Sequence, residues 1–425
     1  MEFTQDYREC FNVARKNMTG QARCYLNGLM VKAPRKNMER MEEYVEESDY
    51  QSLQQFLSDS PWSHEEVMRR VGLDVSAVLG GEQSALVIDE SGFSKKGEKS
   101  VGVSRQYNGR LGKVDNCQVG VFASLSDGIS SSLVDARLYL PQSWAEDRER
   151  CRSAKIPEEE IRYASKPELA LEMIRRARQT GVSFGWVCFD ALYGSNGALL
   201  ESLQQDGEVF VADVKRNRKV YPEGPDEEGL AVSSFFRSQT DWTVVNVRMG
   251  EKGMLKTQAC AKRVWVKAGE EWFAWWAVCV QDPQTSETKW FLSNAAEEAE
   301  LGTLVRQHAI RYWIERGFQD GKTSLGMADY QGRGWVFWHH HMALVMMGML
   351  FLLRERRVHM LEIEMLSCND IVELLNVFLP RKDATVEAVL ANISRRHRKR
   401  HQARETARRR PKPKPDKVIT IDLTK

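Results

Sequence analysis

Much that would classify this chain quickly is missing from it. Its eight cysteines form no CxxC pair and no paired Cys/His motif. That argues against the usual zinc-site spacings and suits reduced thiols in a cytoplasmic protein. The N-terminus, Met-Glu-Phe-Thr-Gln-Asp, lacks the pattern of a secretory signal. The longest apolar run, Met342 to Leu353, is too short to span a bilayer and predicts a buried core helix, so no membrane partner is expected. No internal repeat, Ser/His/Asp arrangement or clear helix-turn-helix signature is visible. Net charge is nearly absent too, at +2, but residues 395–417 are heavily basic, which leaves the body before them net acidic. With 42% hydrophobic and 28% charged residues over 425 positions, the composition is that of an ordinary soluble protein with room for two or three domains.

What is present centres on His308-Ala-Ile-Arg-Tyr-Trp-Ile-Glu-Arg-Gly-Phe-Gln-Asp-Gly-Lys322. At about 100° per residue, His308, Arg311, Glu315 and Lys322 share one helical stripe. Ile310, Ile314, Gly317 and Gly321 share another, suited to close packing. A carboxylate between two cations can hold a divalent ion while Arg and Lys hold phosphate oxygens. The alternative is a solvated charged face on an amphipathic helix. Two more acids close apolar runs that read as buried strands: Ala85-Leu-Val-Ile-Asp89 and Phe184-Gly-Trp-Val-Cys-Phe-Asp190. A carboxylate there is costly unless a cation offsets its desolvation. Asp89, Asp190 and Glu315 are therefore the candidate acidic triad.

With these residues the chain resembles the DDE-type insertion-sequence transposases, in the group whose glutamate helix carries Tyr, Arg, Glu and Lys. The spacing is intact as His308, Arg311, Glu315 and Lys322, with His308 where the group usually has Tyr. Asp89-Glu-Ser-Gly-Phe-Ser-Lys-Lys-Gly97, Ser100-Val-Gly-Val103, Asn116-Cys-Gln-Val-Gly120, Leu325-Gly326 and Trp338-His-His-His-Met342 match as well. The resemblance runs from about residue 20 to about residue 355.

In chain order, residues 1–80 read as helical. Asp59-Ser-Pro-Trp-Ser63 is a break, and a short helix follows from His64 to Val71. With Arg15, Lys16, Arg23, Lys32, Arg35 and Lys36, this region is either a DNA-binding module or a cap on the core. Residues 81–215 read as the first part of a ribonuclease-H-like α/β core. Strands end at Asp89 and span Gln118–Leu125 and Ser132–Leu140. A helix capped at Ser165 and closed by Gly181 leads to the strand before Asp190. A helix over Ser195–Gln205 and a strand over Glu208–Val214 follow. Residues 216–295 read as a β-rich insertion, which the resemblance also implies. Its tryptophans, Trp242, Trp265, Trp272, Trp275, Trp276 and Trp290, are expected mostly in sheet core, and Trp290 is the candidate for stacking on a base, worth about 1–3 kcal/mol. Residues 296–393 complete the core with C-terminal helices. The three histidines at 339–341 point in three directions on a helix, so they read as structural or DNA-facing rather than as joint metal ligands. Residues 394–425 read as a basic, disordered tail able to touch nucleic acid.

The resemblance implies a DNA transposase that cuts at transposon ends and transfers the 3′-OH ends to target DNA, in a cut-and-paste manner. Two Mg²⁺ ions, for which Mn²⁺ can substitute, would be held by Asp89, Asp190 and Glu315. Arg311, Lys322, Lys95, Lys96, His308 and Trp290 are the candidate DNA contacts. The expected partners are double-stranded DNA with terminal inverted repeats, target DNA and a second copy of the chain in a synaptic complex. A metal-dependent nuclease of the same fold and a catalytically inactive DNA-binding descendant are the alternatives.

Overall fold

The computed structural model describes residues 2–409, apart from 14, 251, 252, 361, 364, 365, 383 and 384. Ten strands make one sheet. In the chain's first half they are β1 (Gly81–Ser94), β2 (Ser104–Asn108), β3 (Lys113–Ser126), β4 (Ser131–Leu138), β5 (Phe184–Phe189) and β6 (Phe210–Val214). The rest are β7 (Thr243–Gly250), β8 (Gly253–Ala268), β9 (Glu271–Gln281) and β10 (Thr288–Ser293). Their order is β7-β8-β9-β10-β6-β5-β1-β3-β2, with β4 also paired to β3. β1 is antiparallel to β3, and β3 to β4, while β5 and β6 lie parallel to β1 on its other side. Ala85, Leu86, Val87 and Ile88 are fully buried, as a central strand covered on both faces requires.

Strands β7 to β10 do not form a separate sheet. β10 pairs antiparallel with β6 and joins them to the core ladder. The predicted strand ending at Asp89 continues to Ser94, so Asp89 lies within β1 rather than at its end. β2 was not visible in the sequence, because Ser-Arg-Gln-Tyr-Asn carries almost no apolar alternation.

The helices that bear on the site are α1 (Thr19–Met30), α2 (Met38–Tyr44), α3 (Tyr50–Ser58), α4 (His64–Leu79) and α5 (Lys166–Thr180). They continue with α6 (Gly197–Gln205), α7 (Leu301–Ala309), α8 (Tyr312–Ser324), α9 (Trp335–His359), α10 (Cys368–Phe378) and α11 (Val386–Arg409). α5 has the expected capping box between Ser165 and Glu168, and Gly181 ends it at φ 90°. α4 runs past its predicted end at Val71. Gly72 sits inside it, where an added Cβ would lie 3.3 Å from the Val134 carbonyl oxygen.

α9 is long and apolar enough to cross a bilayer, but its apolar stretch is mostly buried inside the protein. His339, His340 and His341 are all buried on it, so of their two readings the structural one holds. His341 Nδ1 lies 2.8 Å from the Tyr25 hydroxyl, His339 Nδ1 lies 3.0 Å from the Trp335 carbonyl oxygen, and His340 stacks on Trp62 at 3.7 Å. The N-terminal helices thus pack on the core as a cap. Three of the six cations named in this region are engaged. Arg23 pairs with Glu47 at 2.7 Å, Lys32 with Glu373 at 2.8 Å, and the buried Lys36 amine donates to the Leu29 carbonyl at 2.8 Å.

The tail corrects an expectation. Residues 394–409 are helical, as the second half of α11, rather than disordered. Arg395, Arg396 and Lys399 reach Glu42, Glu43 and Glu39 at 3.0, 3.5 and 3.6 Å. The segment is rich in helix formers, and the acids of α2 receive its basic stripe. Pro411-Lys-Pro-Lys-Pro415 lies outside the described residues.

Candidate active site

Sheet register builds the site. Ile88 lies beside Phe189, and Phe189 beside Ala212. The next residue in each segment is an acid: Asp89 in β1, Asp190 just past the end of β5, and Asp213 in β6. Three carboxylates therefore occupy one row across β1, β5 and β6. Side chains in one row share a face, and Phe291 of β10, directly paired with Asp213, shares it as well. Asp190 caps the single helical turn Ala191–Gly194, its side chain accepting from the Leu192 N–H at 2.8 Å.

Burial and mutual repulsion strain this row. Burial pushes the Asp89 carboxyl up to about 8, with Asp190 and Glu90 adding to the shift. Asp190 is raised by burial and then by Glu90. Glu90 points to the opposite sheet face, where the Lys166 amine and the Tyr193 hydroxyl hold it at 2.8 and 2.9 Å. For Asp213, burial works upward but His308 and Arg311 outweigh it, holding the carboxyl below its usual range.

The helix predicted over 308–322 is broken. α7 ends at Ala309 and α8 begins at Tyr312. Between them the backbone tightens to three-residue spacing, with Trp313 N–H to the Ile310 carbonyl at 2.9 Å and Ile314 N–H to Arg311 at 3.3 Å. On either side of this break, His308 Nε2 and Arg311 Nε both turn onto Asp213, at 2.6 and 3.2 Å. His308 also stacks on Phe291 at 4.3 Å, and its side chain is only 12% exposed. His308, expected at the DNA, is turned inward here as a packing and pairing group. Past the break, Arg311 reaches Glu315 at 3.0 Å, and Lys322 donates to Ser91 Oγ at 2.6 Å, two residues along β1 from Asp89. The charged stripe thus lies over the carboxylate row. Ile314, Gly317 and Gly321 form a buried face, with Gly317 and Gly321 against Met349 of α9, while Ile310, expected on the same face, is half-buried in the break.

Glu315 is the outlier of the triad. Its side chain is 55% exposed and directed at Arg311. Among the described residues, no three His, Cys, Asp or Glu side chains stand together as a metal cluster. The Asp89–Asp190 pair nevertheless fits a divalent cation, since two adjacent buried carboxylates need positive charge and Arg311 is the cation that acts on both.

The remaining candidates divide. The Lys95 amine sits 3.4 Å over the Tyr330 ring, and burial lowers it to about 8, while Lys96 is exposed. Trp290 alternates with Phe291 along β10, which places it on the sheet face away from His308 and the carboxylate row. Of the six insertion tryptophans only Trp275 is fully buried, donating to Gln204 at 3.0 Å. Trp242, Trp276 and Trp290 pack partly buried against the core, as expected of most of the set, while Trp265 is exposed and Trp272 half-buried. Asp213 was missed, although Phe210-Val-Ala-Asp213 repeats the acid-after-apolar-strand pattern that marks Asp89 and Asp190.

A buried carboxylate row beneath a helix bearing Arg, Glu and Lys is an arrangement able to hold cations next to phosphate oxygens. Residues 6–263 match the family model described as DDE superfamily endonuclease, and the chain belongs to that family. The match contains Asp89, Asp190 and Asp213 and ends before Glu315. The chain is 27% identical over 335 residues to a protein described as a probable transposase for insertion sequence element IS701, from Microchaete diplosiphon. That alignment covers 78% of this chain and 80% of the relative. A solved piggyBac transposase synaptic complex with hairpin DNA aligns over 98% of this chain and 81% of that one, at 11% identity and a TM-score of 0.41; a likeness that low carries no weight here.

Proposed function

We propose that this protein is the transposase of an insertion sequence, cutting DNA at the element's terminal inverted repeats and transferring the 3′-OH ends to target DNA in a cut-and-paste reaction. The observation that carries the reading is the side-by-side placement of Asp89 and Asp190 on adjacent parallel strands, with the Glu315 helix lying over them. The strand order β4-β3-β1-β5-β6, antiparallel on one side of β1 and parallel on the other, supports a ribonuclease-H-like core. Asp89 and Asp190 would hold divalent metal, Mg²⁺ or Mn²⁺, and Glu315 would join them on leaving Arg311. Held there, divalent metal would supply a lowered pKa for an attacking water or 3′-OH and charge stabilisation for the leaving oxygen. Arg311, once released, and Lys322 would hold phosphate oxygens beside the scissile bond. Asp213 positions Arg311 through its 3.2 Å contact. The protein would work as a homodimer that pairs two DNA ends.

The test incubates the full chain with the DNA flanking its own gene and Mg²⁺. The reading expects excised ends and strand-transfer products, both absent from Asp89→Ala and Asp190→Ala proteins that still bind the ends. Nicking with no joined product would leave a nuclease in place of a transposase.

A further inference from the structure

Beyond Ser91, where Lys322 is held, β1 runs into a groove of about 960 Å³ lined by Phe93, Lys95, Lys96, Arg35, Tyr330 and Arg333. A second groove of about 580 Å³ shares Arg35, Asn37 and Gln331 with the first and continues along α11, past Lys399 and Arg400. The Lys399 amine lies 4.2 Å over the Tyr50 ring, which lines the first groove, so the two are joined.

The charges along this path are unbalanced. Arg35, Lys96, Arg333 and Arg400 are exposed, and none has an ion pair among the described residues. The acids that line the path are engaged. Asp329 accepts the Lys36 backbone N–H at 2.8 Å, and Glu39 faces Lys399 at 3.6 Å. This contrasts with Arg23 and Lys32 on α1 and just beyond it, which pair with acids of the cap and α10. Unpaired cations gathered in one cleft repel one another, and a polyanion is the partner that relieves them.

Resting on the transposase reading, we propose that this joined groove, from Lys95 and Lys96 through Arg35 and Arg333 to Arg400, carries the phosphodiester backbone of the DNA leading away from the scissile bond. Its near end lies along β1 from Asp89, so a strand whose phosphate sits at the carboxylate row enters it past Lys322. Its far end reaches α11, which gives the basic C-terminal segment a defined face to contribute. The side chains act as point charges on phosphates and carry no sequence readout.

The test measures anisotropy of a short labelled duplex, without divalent metal, against salt concentration. The proteins are full-length wild type, a groove variant (Arg35→Glu, Lys96→Glu, Arg333→Glu) and a matched control at the other end of the sheet (Lys219→Glu, Lys256→Glu, Lys267→Glu). All six positions are exposed, and thermal melting checks that each variant folds. The groove variant is expected to bind at least about tenfold more weakly at physiological salt. Its log–log salt slope should be shallower by about 2–3, one phosphate contact for each lost cation. The control should keep the wild-type slope. A groove variant with wild-type affinity and slope overturns the groove while leaving the transposase reading intact. An equal loss in both variants also overturns it, in favour of bulk charge. Wild-type protein that neither binds nor cleaves DNA overturns the transposase reading itself.

Discussion

Asp89 carries the sharpest residue-level expectation. Folding raises its carboxyl from 3.8 to about 8. Its favourable contribution is therefore complete below pH 3.8 and is lost as pH rises toward 8. A cation binds the ionised form, so Mg²⁺ affinity should rise through the same window. The Mg²⁺-induced increase in Tm should be small near about pH 6 and larger near about pH 8.5. Asp89→Asn should melt higher than wild type without metal at the higher pH, and should not respond to Mg²⁺. A wild-type Mg²⁺ response in that variant would remove Asp89 from the metal site. Asp213→Ala frees both His308 and Arg311. Cleavage should fall about 10- to 100-fold through lost alignment, with DNA binding kept, whereas His308→Tyr should be tolerated because a Tyr ring can stack on Phe291. Gel assays of the same DNA end separate these outcomes. Asp89 and Asp190 were legible in the sequence because an acid after an apolar run is rare and costly. Asp213 carried the same signal, but only sheet register shows that it shares their row.

At the scale of elements, the charged helix shows what periodicity can and cannot convey. Its stripe and its glycine face were readable, since side-chain spacing survives a local tightening of the backbone. The break at residues 310–311 was not, because it depends on Asp213 drawing in His308 and Arg311 from nearly a hundred residues away in sequence. The second half of α11, past residue 393, was missed for a related reason: its partners, Glu39, Glu42 and Glu43, come from the other end of the chain. Deleting residues after Ser394 should lower Tm measurably while the core stays folded, since Glu42 and Glu43 are largely buried and lose the Arg395 and Arg396 partners that offset their desolvation. The same deletion should weaken DNA binding and flatten its salt dependence. An unchanged slope would show that this segment does not touch DNA.

Across the whole molecule, the N-terminal cap and the large sheet meet on α9, and histidines of α9 and α4 at that junction tie it to pH. Burial lowers His64 to about 3, His340 to about 4 and His341 to about 3. Folding depresses these pKa values, so their contribution is present above about pH 6.5 and is lost as pH falls toward 4. Denaturant midpoints should decline over that range. His341→Phe should be less stable near neutrality by about 1–3 kcal/mol, because it leaves the Tyr25 hydroxyl unpaired, and its acid decline should be shallower. An acid limb of unchanged steepness would place the sensitivity elsewhere.

The metal role proposed for Asp89, Asp190 and Glu315 is tested most directly by Mn²⁺ binding followed by electron paramagnetic resonance, with a DNA end present. The account predicts tight Mn²⁺ binding by wild type, lost in Asp89→Asn and Asp190→Asn and reduced in Glu315→Gln, with DNA affinity unchanged in all three. Wild-type Mn²⁺ binding by both aspartate variants would contradict it.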